Sequence, residues 1–313
     1  MTARPGAATP AALVFTGIVS VQLGAGLATR LFHELPPAAV TGLRLWSAAI
    51  FLLIIGGRRA WAAVVGVAQR WDERSAAVAL AFGVCLGGMN FVFYQAIARV
   101  PLGVAVTIEF LGPLAVAVAG SRRLLDLLWV ALAGTGVVLL TGGGTAHLNV
   151  SGVVFAALSA VGWAAYIMLS AATGRRFPGS SGLVIAMVIA AVVVTPGALA
   201  TANGSLRRPS VLATGAGVGL LSSAIPYGVE LRALRRLSTR VFGIWMSLEP
   251  VAAALIGLAL LGQHLSVSEW AAVGCVVAAC TGAALATPPA APSAPVPPPS
   301  PETSGSQAPP ASP

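Results

Sequence analysis

Apolar residues in this chain come in unbroken runs and not every third or fourth position with polar residues between. "ALVFTGIVSVQLGAGLA" (12–28), "AVALAFGVCLGGMNFVFYQAI" (77–97) and "SGLVIAMVIAAVVVTPGALA" (181–200) are typical. A helix that faces water shows an apolar stripe, whereas one that faces lipid is apolar all round and needs about 20 residues to cross. By that measure the pattern predicts ten spans, at 11–30, 38–56, 76–98, 102–120, 125–143, 151–172, 182–201, 210–232, 241–261 and 268–286. Several connections are short enough to be tight turns. The expected fold class is an all-α integral membrane protein with ten transmembrane helices.

Composition agrees with the pattern. The 313 residues are 57% hydrophobic and 9% charged, with a mean hydropathy of +0.88, where a soluble domain carries about 25% charged residues. All 18 basic residues are Arg, and they alternate by loop. With the N-terminus inside, thirteen fall on the cytoplasmic side, among them Arg58, Arg59, Arg122, Arg123, Arg175 and Arg176, against four outside: Arg30, Arg99, Arg207 and Arg208. Cytoplasmic loops retain Arg, so both termini are expected in the cytoplasm and the protein in the plasma (inner) membrane. The net charge of +9 is therefore an orientation signal, and nucleic acid is not an expected partner. Residues 287–313, almost all Pro, Ala and Ser, predict a disordered cytoplasmic tail. No cleavable signal peptide is evident, because the first run is long enough to be retained as a helix.

A shift of 137 positions aligns "YQAIARVPLGVAVTIEFLGPLAVAV" (94–118) with "LRALRRLSTRVFGIWMSLEPVAAAL" (231–255), and Pro113 lands on Pro250. Five spans per half is an odd number, so the second copy would be inverted, an arrangement that places a substrate site near mid-membrane. The expected units are 1–143 and 144–286, joined by the glycine-rich turn "TGGGTAH" (141–147).

Charge inside the runs carries the candidate chemistry. An ionisable residue at mid-membrane costs about 2.5 to 3.5 kcal/mol on insertion scales and faces the bundle interior or a wet cavity. Glu109, Glu249 and Glu230 occupy such places. Pro113 and Pro250 have no N–H to give the carbonyls of Glu109 and Met246, so a free carbonyl accompanies each carboxyl. Pro226 is a third helix-breaking position, in the eighth span. Arg44, six residues into the second span, either snorkels to the interface or pairs with Glu109 or with a substrate carboxylate. Asn90 and Tyr94 in the third span, Tyr227 and Glu230 in the eighth, and Trp163 and Tyr166 in the sixth can line a cavity. Packing or an interfacial belt is an equal reading of the aromatics.

Cys85, Cys275 and Cys280 read as small apolar fillers, and the three His at unrelated spacings give no metal site. There is no lysine, no G-x-S-x-G and no H-E-x-x-H, so neither an enzyme nor a cofactor is expected.

"MNFVFYQAIARVPLGVAVTIEFLGPLAVAVAGSRR" (89–123) and "AIPYGVELRALRRLSTRVFGIWMSLEPVAAALIGLALLGQHLS" (224–266) resemble the drug/metabolite transporter superfamily, with two EamA-type five-helix units. Within it the chain is most similar to the inner-membrane threonine/homoserine exporter group. The resemblance covers about residues 10 to 286 and implies proton-linked efflux of small amino acids or related metabolites. The partners so implied are the small-molecule substrate, protons and the lipid bilayer, and a homodimer is compatible with such a chain. A carboxylic acid taken out of water can be neutral near pH 7, so Glu109 or Glu249 is a candidate for proton exchange in an alternating-access cycle. Export of another metabolite or drug class is the alternative, with a non-transport scaffold behind it.

Overall fold

In a computed structural model the described residues are 10–70, 73–119, 125–142, 149–177, 180–226 and 239–286, with Val229 and Leu237. Tyr227, Glu230 and the Pro-rich tail 287–313 lie outside them. Every described element is helical. In chain order they are α1 (Pro10–Leu31), α2 (Pro37–Arg70), α3 (Glu73–Ile97), α4 (Leu102–Glu109), α5 (Leu111–Ala119), α6 (Leu125–Gly142), α7 (Val150–Gly174) and α8 (Ser181–Thr201). A 3-10 turn (Gly204–Arg207) leads to α9 (Pro209–Gly219), which runs on into one π turn, Leu220–Ala224. The last three are α10 (Thr239–Met246), α11 (Glu249–Leu261) and α12 (Val267–Ala286).

Among the described residues, eight stretches are long and apolar enough to cross a membrane: α1, Pro37–Arg58 of α2, α3, α4 with α5, α7, α8, Val241–Leu261, and α12. They coincide with eight of the ten predicted spans. The fifth and eighth predicted spans hold shorter apolar helices, Leu125–Leu140 and Pro209–Ala224. Large apolar side chains point outward, with Ile54 68%, Val138 65% and Val161 69% exposed. Water would penalise that surface and lipid does not.

Two differences from the sequence reading have local causes. The α2 backbone stays helical to Arg70, past the predicted end at 56, where "RRAWAA" (58–63) is mostly Arg and Ala, both good helix formers. It is broken at Gly57, whose φ of 55° and ψ of −146° suit glycine alone. The fourth and ninth spans are each two half-helices, parted at Phe110 and at Ser247–Leu248. Pro113 and Pro250 follow the breaks, as expected of a residue that removes a helix bond.

Small residues set the packing, as in other helix bundles in lipid. A Cβ added to Gly103 would lie 2.8 Å from Ala254, so α4 and α11 touch backbone to backbone; one added to Gly112 would lie 2.1 Å from the Ala160 carbonyl oxygen, which draws α5 onto α7. A second core forms where Leu45, Phe82, Leu86 and Met187 join α2, α3 and α8.

One face of the bundle is tied by polar contacts between early and late parts of the chain. Arg30 Nη2 donates to the Leu260 carbonyl at 2.6 Å, and Arg208 pairs with Glu34 at 3.0 Å. Asn203 Nδ2 donates to the Glu34 carbonyl at 3.1 Å. Gly262, at φ 65°, ends α11 in the left-handed conformation. That turn presents Gln263, whose Oε1 accepts the Leu102 N–H at 2.9 Å and caps α4.

Candidate functional site

Both interior carboxyls sit at helix breaks, on opposite sides of them. Glu109 is the last residue of α4 and Glu249 the first of α11, and both are buried. A helix is electrically positive at its N-terminal end and negative at its C-terminal end. At each break the negative end of one half-helix lies against the positive end of the next, so the two dipoles oppose each other there and the side-chain partners distinguish the carboxyls. Glu109 accepts a hydrogen bond from Ser159 Oγ of α7, and Glu249 Oε1 accepts one from Gln22 Nε2 of α1 at 2.9 Å.

Arg44 points inward. Its Nη1 donates to Asn90 Oδ1, and the Asn90 amide is oriented for this because its Nδ2 donates to the Leu86 carbonyl one turn back, at 2.8 Å. The guanidinium also lies 5.3 Å from the centre of the Tyr94 ring, a cation–π distance. Tyr94 is fully buried, with its hydroxyl beside Arg44 and Ser222 but in no hydrogen bond of good geometry. No salt bridge joins Arg44 to Glu109 among the described residues, although the Arg44 charge acts on Glu109 through space.

The π turn supplies the other wall, and Pro226 explains it. Proline offers no N–H to the carbonyl four residues back, Ser222, or five back, Leu221. Side chains from elsewhere take both. Ser20 Oγ of α1 donates to the Leu221 carbonyl at 2.7 Å, and Arg44 Nη2 approaches the Ser222 carbonyl at 3.5 Å. Backbone polar groups inside a membrane have to be met in this way.

The predicted residues thus divide. Arg44, Asn90, Tyr94 and Glu109 share one interior region with the π turn before Pro226, and Glu249, with Pro250 next to it, faces Gln22 of α1. Trp163 packs edge-on against Phe110 at 4.9 Å, directly beside Glu109, whereas Tyr166 packs on Phe82 at 5.3 Å in the α2–α3–α8 core. Ser20, Gln22, Ser159 and Ser222 complete the polar interior, and the sequence reading did not single them out. Gln22 had a signal, being the one long polar side chain in the first apolar run. Several buried polar atoms here have no hydrogen-bond partner among the described residues: Gln22 Oε1, Arg44 Nε, Tyr94 Oη and Ser223 Oγ. Unmet buried polar atoms are rare in a folded protein and mark a place for water or a ligand. Among the described residues no group of His, Cys, Asp and Glu is placed to hold a metal.

A multispanning helical protein with ionisable residues and broken helices in its interior has the construction of a membrane transporter. The chain belongs to the EamA-like transporter family, whose profile matches residues 150–285. It is 38% identical over 278 residues to the threonine/homoserine exporter RhtA of Escherichia coli K12, covering 88% of this chain and 91% of that protein. RhtA of Salmonella typhimurium LT2 is 37% identical over the same span, and the uncharacterized transporter YwfM of Bacillus subtilis 25% identical over 253 residues. A crystal structure of a protein 19% identical superimposes with a TM-score of 0.61 over 88% of this chain and 96% of the other, a likeness of fold.

Proposed function

We propose that the chain exports small amino acids of the threonine and homoserine kind across the plasma membrane in exchange for protons, by alternating access. The substrate class rests on the 38% identity to a threonine/homoserine exporter over nearly the whole of both proteins. The observation that carries the mechanism is Glu109, a buried carboxyl at a helix break, bonded to Ser159 and within the field of Arg44. Such a group gains a proton in one state and gives it up in another at modest cost. Arg44, set by Asn90 and Tyr94, holds the substrate carboxylate through its unmet Nε.

In this reading the eight long spans and two shorter helices form ten crossings in two inverted units, with both termini in the cytoplasm. The tied face, with Arg30, Glu34, Gln263 and Arg208, is then the outer one, and its contacts part when the substrate leaves. The test is transport by the purified full chain in liposomes, with an imposed pH gradient and a panel of amino acids. Efflux of threonine or homoserine that follows the gradient supports the reading; gradient-independent efflux removes the proton from it, and no movement of any amino acid removes the substrate class.

A further inference from the structure

Ser159 of α7 has one hydrogen to give and two acceptors within reach. Its Oγ donates to Glu109 Oε1, and it lies 3.5 Å from the Met89 carbonyl of α3. Ser159 itself is fully buried, so water does not compete for that hydrogen. A hydroxyl can accept while it donates, and the two contacts stop competing once Glu109 brings a hydrogen of its own.

The packing of α7 suits a residue that serves both sides. Towards the break in the fourth span it presents Trp163, edge-on to Phe110 at 4.9 Å, and the Ala160 carbonyl, against which Gly112 packs. Towards α3 it presents Gly162, where a Cβ would lie 3.0 Å from Met89 Cβ and whose carbonyl accepts from Cys85 Sγ at 3.3 Å. Met89 directly precedes Asn90, whose Oδ1 takes Arg44 Nη1. One chain of contacts thus runs from Glu109 through Ser159 to the neighbour of the residue that sets Arg44.

We infer that Ser159 is a positioning residue that passes the charge state of Glu109 to α3. The inference rests on the proton-linked exporter reading and joins its two halves. With Glu109 ionised, the Ser159 hydrogen belongs to the carboxylate and the Met89 carbonyl goes without it. With Glu109 protonated, the carboxyl O–H donates to Ser159 Oγ and the Ser159 hydrogen turns to Met89. The proton taken up stays on Glu109; no bond of Ser159 breaks, and its hydroxyl only rotates. Protonation thereby adds a hydrogen bond between α7 and α3 beside Asn90, and the Arg44 site responds to it. The charged or titratable groups around Glu109 among the described residues are Arg44 of α2, Tyr94 of α3 against Arg44, and Cys280 of α12, whose Sγ lies 4.0 Å from the Phe110 carbonyl. Arg44 keeps its charge throughout.

The test is the dissociation constant of L-threonine, measured by calorimetry on the full chain in detergent over a pH range that reaches both plateaus. Wild type, Glu109→Gln, Ser159→Ala and Ser159→Thr are compared. The ratio of the plateau values is the coupling between proton and substrate, and the midpoint is how firmly Glu109 holds its proton. Wild type is expected to bind threonine about fivefold or more weakly when Glu109 is protonated, and Glu109→Gln to bind it alike at every pH. Ser159→Ala is expected to bring the ratio to about twofold or less, the remainder being the direct action of the Arg44 charge. Ser159→Thr keeps the hydroxyl and the wild-type ratio; should its methyl unfold the packed site, Ser159→Ala decides. A shifted midpoint with the wild-type ratio kept makes Ser159 a partner of Glu109 alone, which overturns the inference and leaves the exporter reading in place. Loss of threonine binding in Ser159→Ala, or a pH dependence that survives Glu109→Gln, overturns it as well. Wild type that binds no threonine, or binds it alike at every pH, overturns the reading on which the inference rests.

Discussion

Glu109 and Arg44 are the residues on which the proposed cycle depends, and each makes a separate demand. Glu109→Gln keeps the shape and can still meet Ser159, but it cannot exchange a proton. Efflux driven by a pH gradient is expected to fall to background in that variant, and the pH dependence of transport to flatten. Exchange of labelled for unlabelled substrate, which needs no net proton movement, is expected to survive; loss of exchange as well would make Glu109 a structural residue. Arg44 has to serve Asn90, the Ser222 carbonyl and the Tyr94 face at once. A lysine has the charge without the planar fork. Arg44→Lys is therefore expected to weaken substrate binding on the order of tenfold to a hundredfold, read as a rise in the half-saturating concentration. Both residues were legible in the sequence because a charge inside an apolar run has no inexpensive explanation. Gln22, Ser159 and Ser222 were not singled out, since uncharged polar side chains are common in membrane helices and only their partners show their use.

At the scale of the element, the breaks were legible and the π turn was not. Pro113, Pro250 and Pro226 each announce a missing N–H, but whether the backbone responds with a turn or a π bulge depends on who takes the freed carbonyl. At Pro226 the takers come from α1 and α2, about 180 to 200 residues earlier in the chain. Pro226→Ala returns an N–H that competes with Ser20 and Arg44. Removing a proline from a helix interior relieves about 3 kcal/mol. The expected result is a higher melting temperature together with slower transport, and a rise in both would detach the π turn from function. Glycine contacts make a second test. Gly112→Ala sets a carbon 2.1 Å from the Ala160 carbonyl oxygen, whereas the Cβ of Gly88→Ala meets nothing within 4 Å. The first is expected to cost about 1 to 3 kcal/mol and the second none, as measured by thermal unfolding in detergent.

Across the whole molecule, apolar run length located eight spans to within a few residues, because lipid enforces that length on any helix that crosses it. Run length could not foretell which face of the bundle carries these ties, since Arg30, Glu34, Arg208 and Gln263 look like ordinary loop residues until the late helices fold back on the early ones. The Arg208–Glu34 pair is exposed at 64% and 42%, and exposed pairs contribute about 0 to 1 kcal/mol. Arg208→Ala alone is thus expected to leave the melting temperature nearly unchanged. Linking the two positions is another matter. In a background free of Cys85, Cys275 and Cys280, Glu34→Cys with Arg208→Cys joined by a short bifunctional thiol reagent is expected to stop transport, and cleavage of the linker to restore it. Transport that continues with the link intact would show that this face does not open.

The Leu221 and Ser222 carbonyls, met by side chains of α1 and α2, also bear on how the protein is made. A helix that carries unmet carbonyls into hydrocarbon is a poor candidate to enter the bilayer alone, and Pro209–Ala224 is short as well. Its partners Ser20 and Arg44 belong to α1 and α2, which leave the ribosome before it. Chain order ensures that they are in place before the residues that need them are synthesised, so biogenesis of the late helix becomes conditional on the early pair.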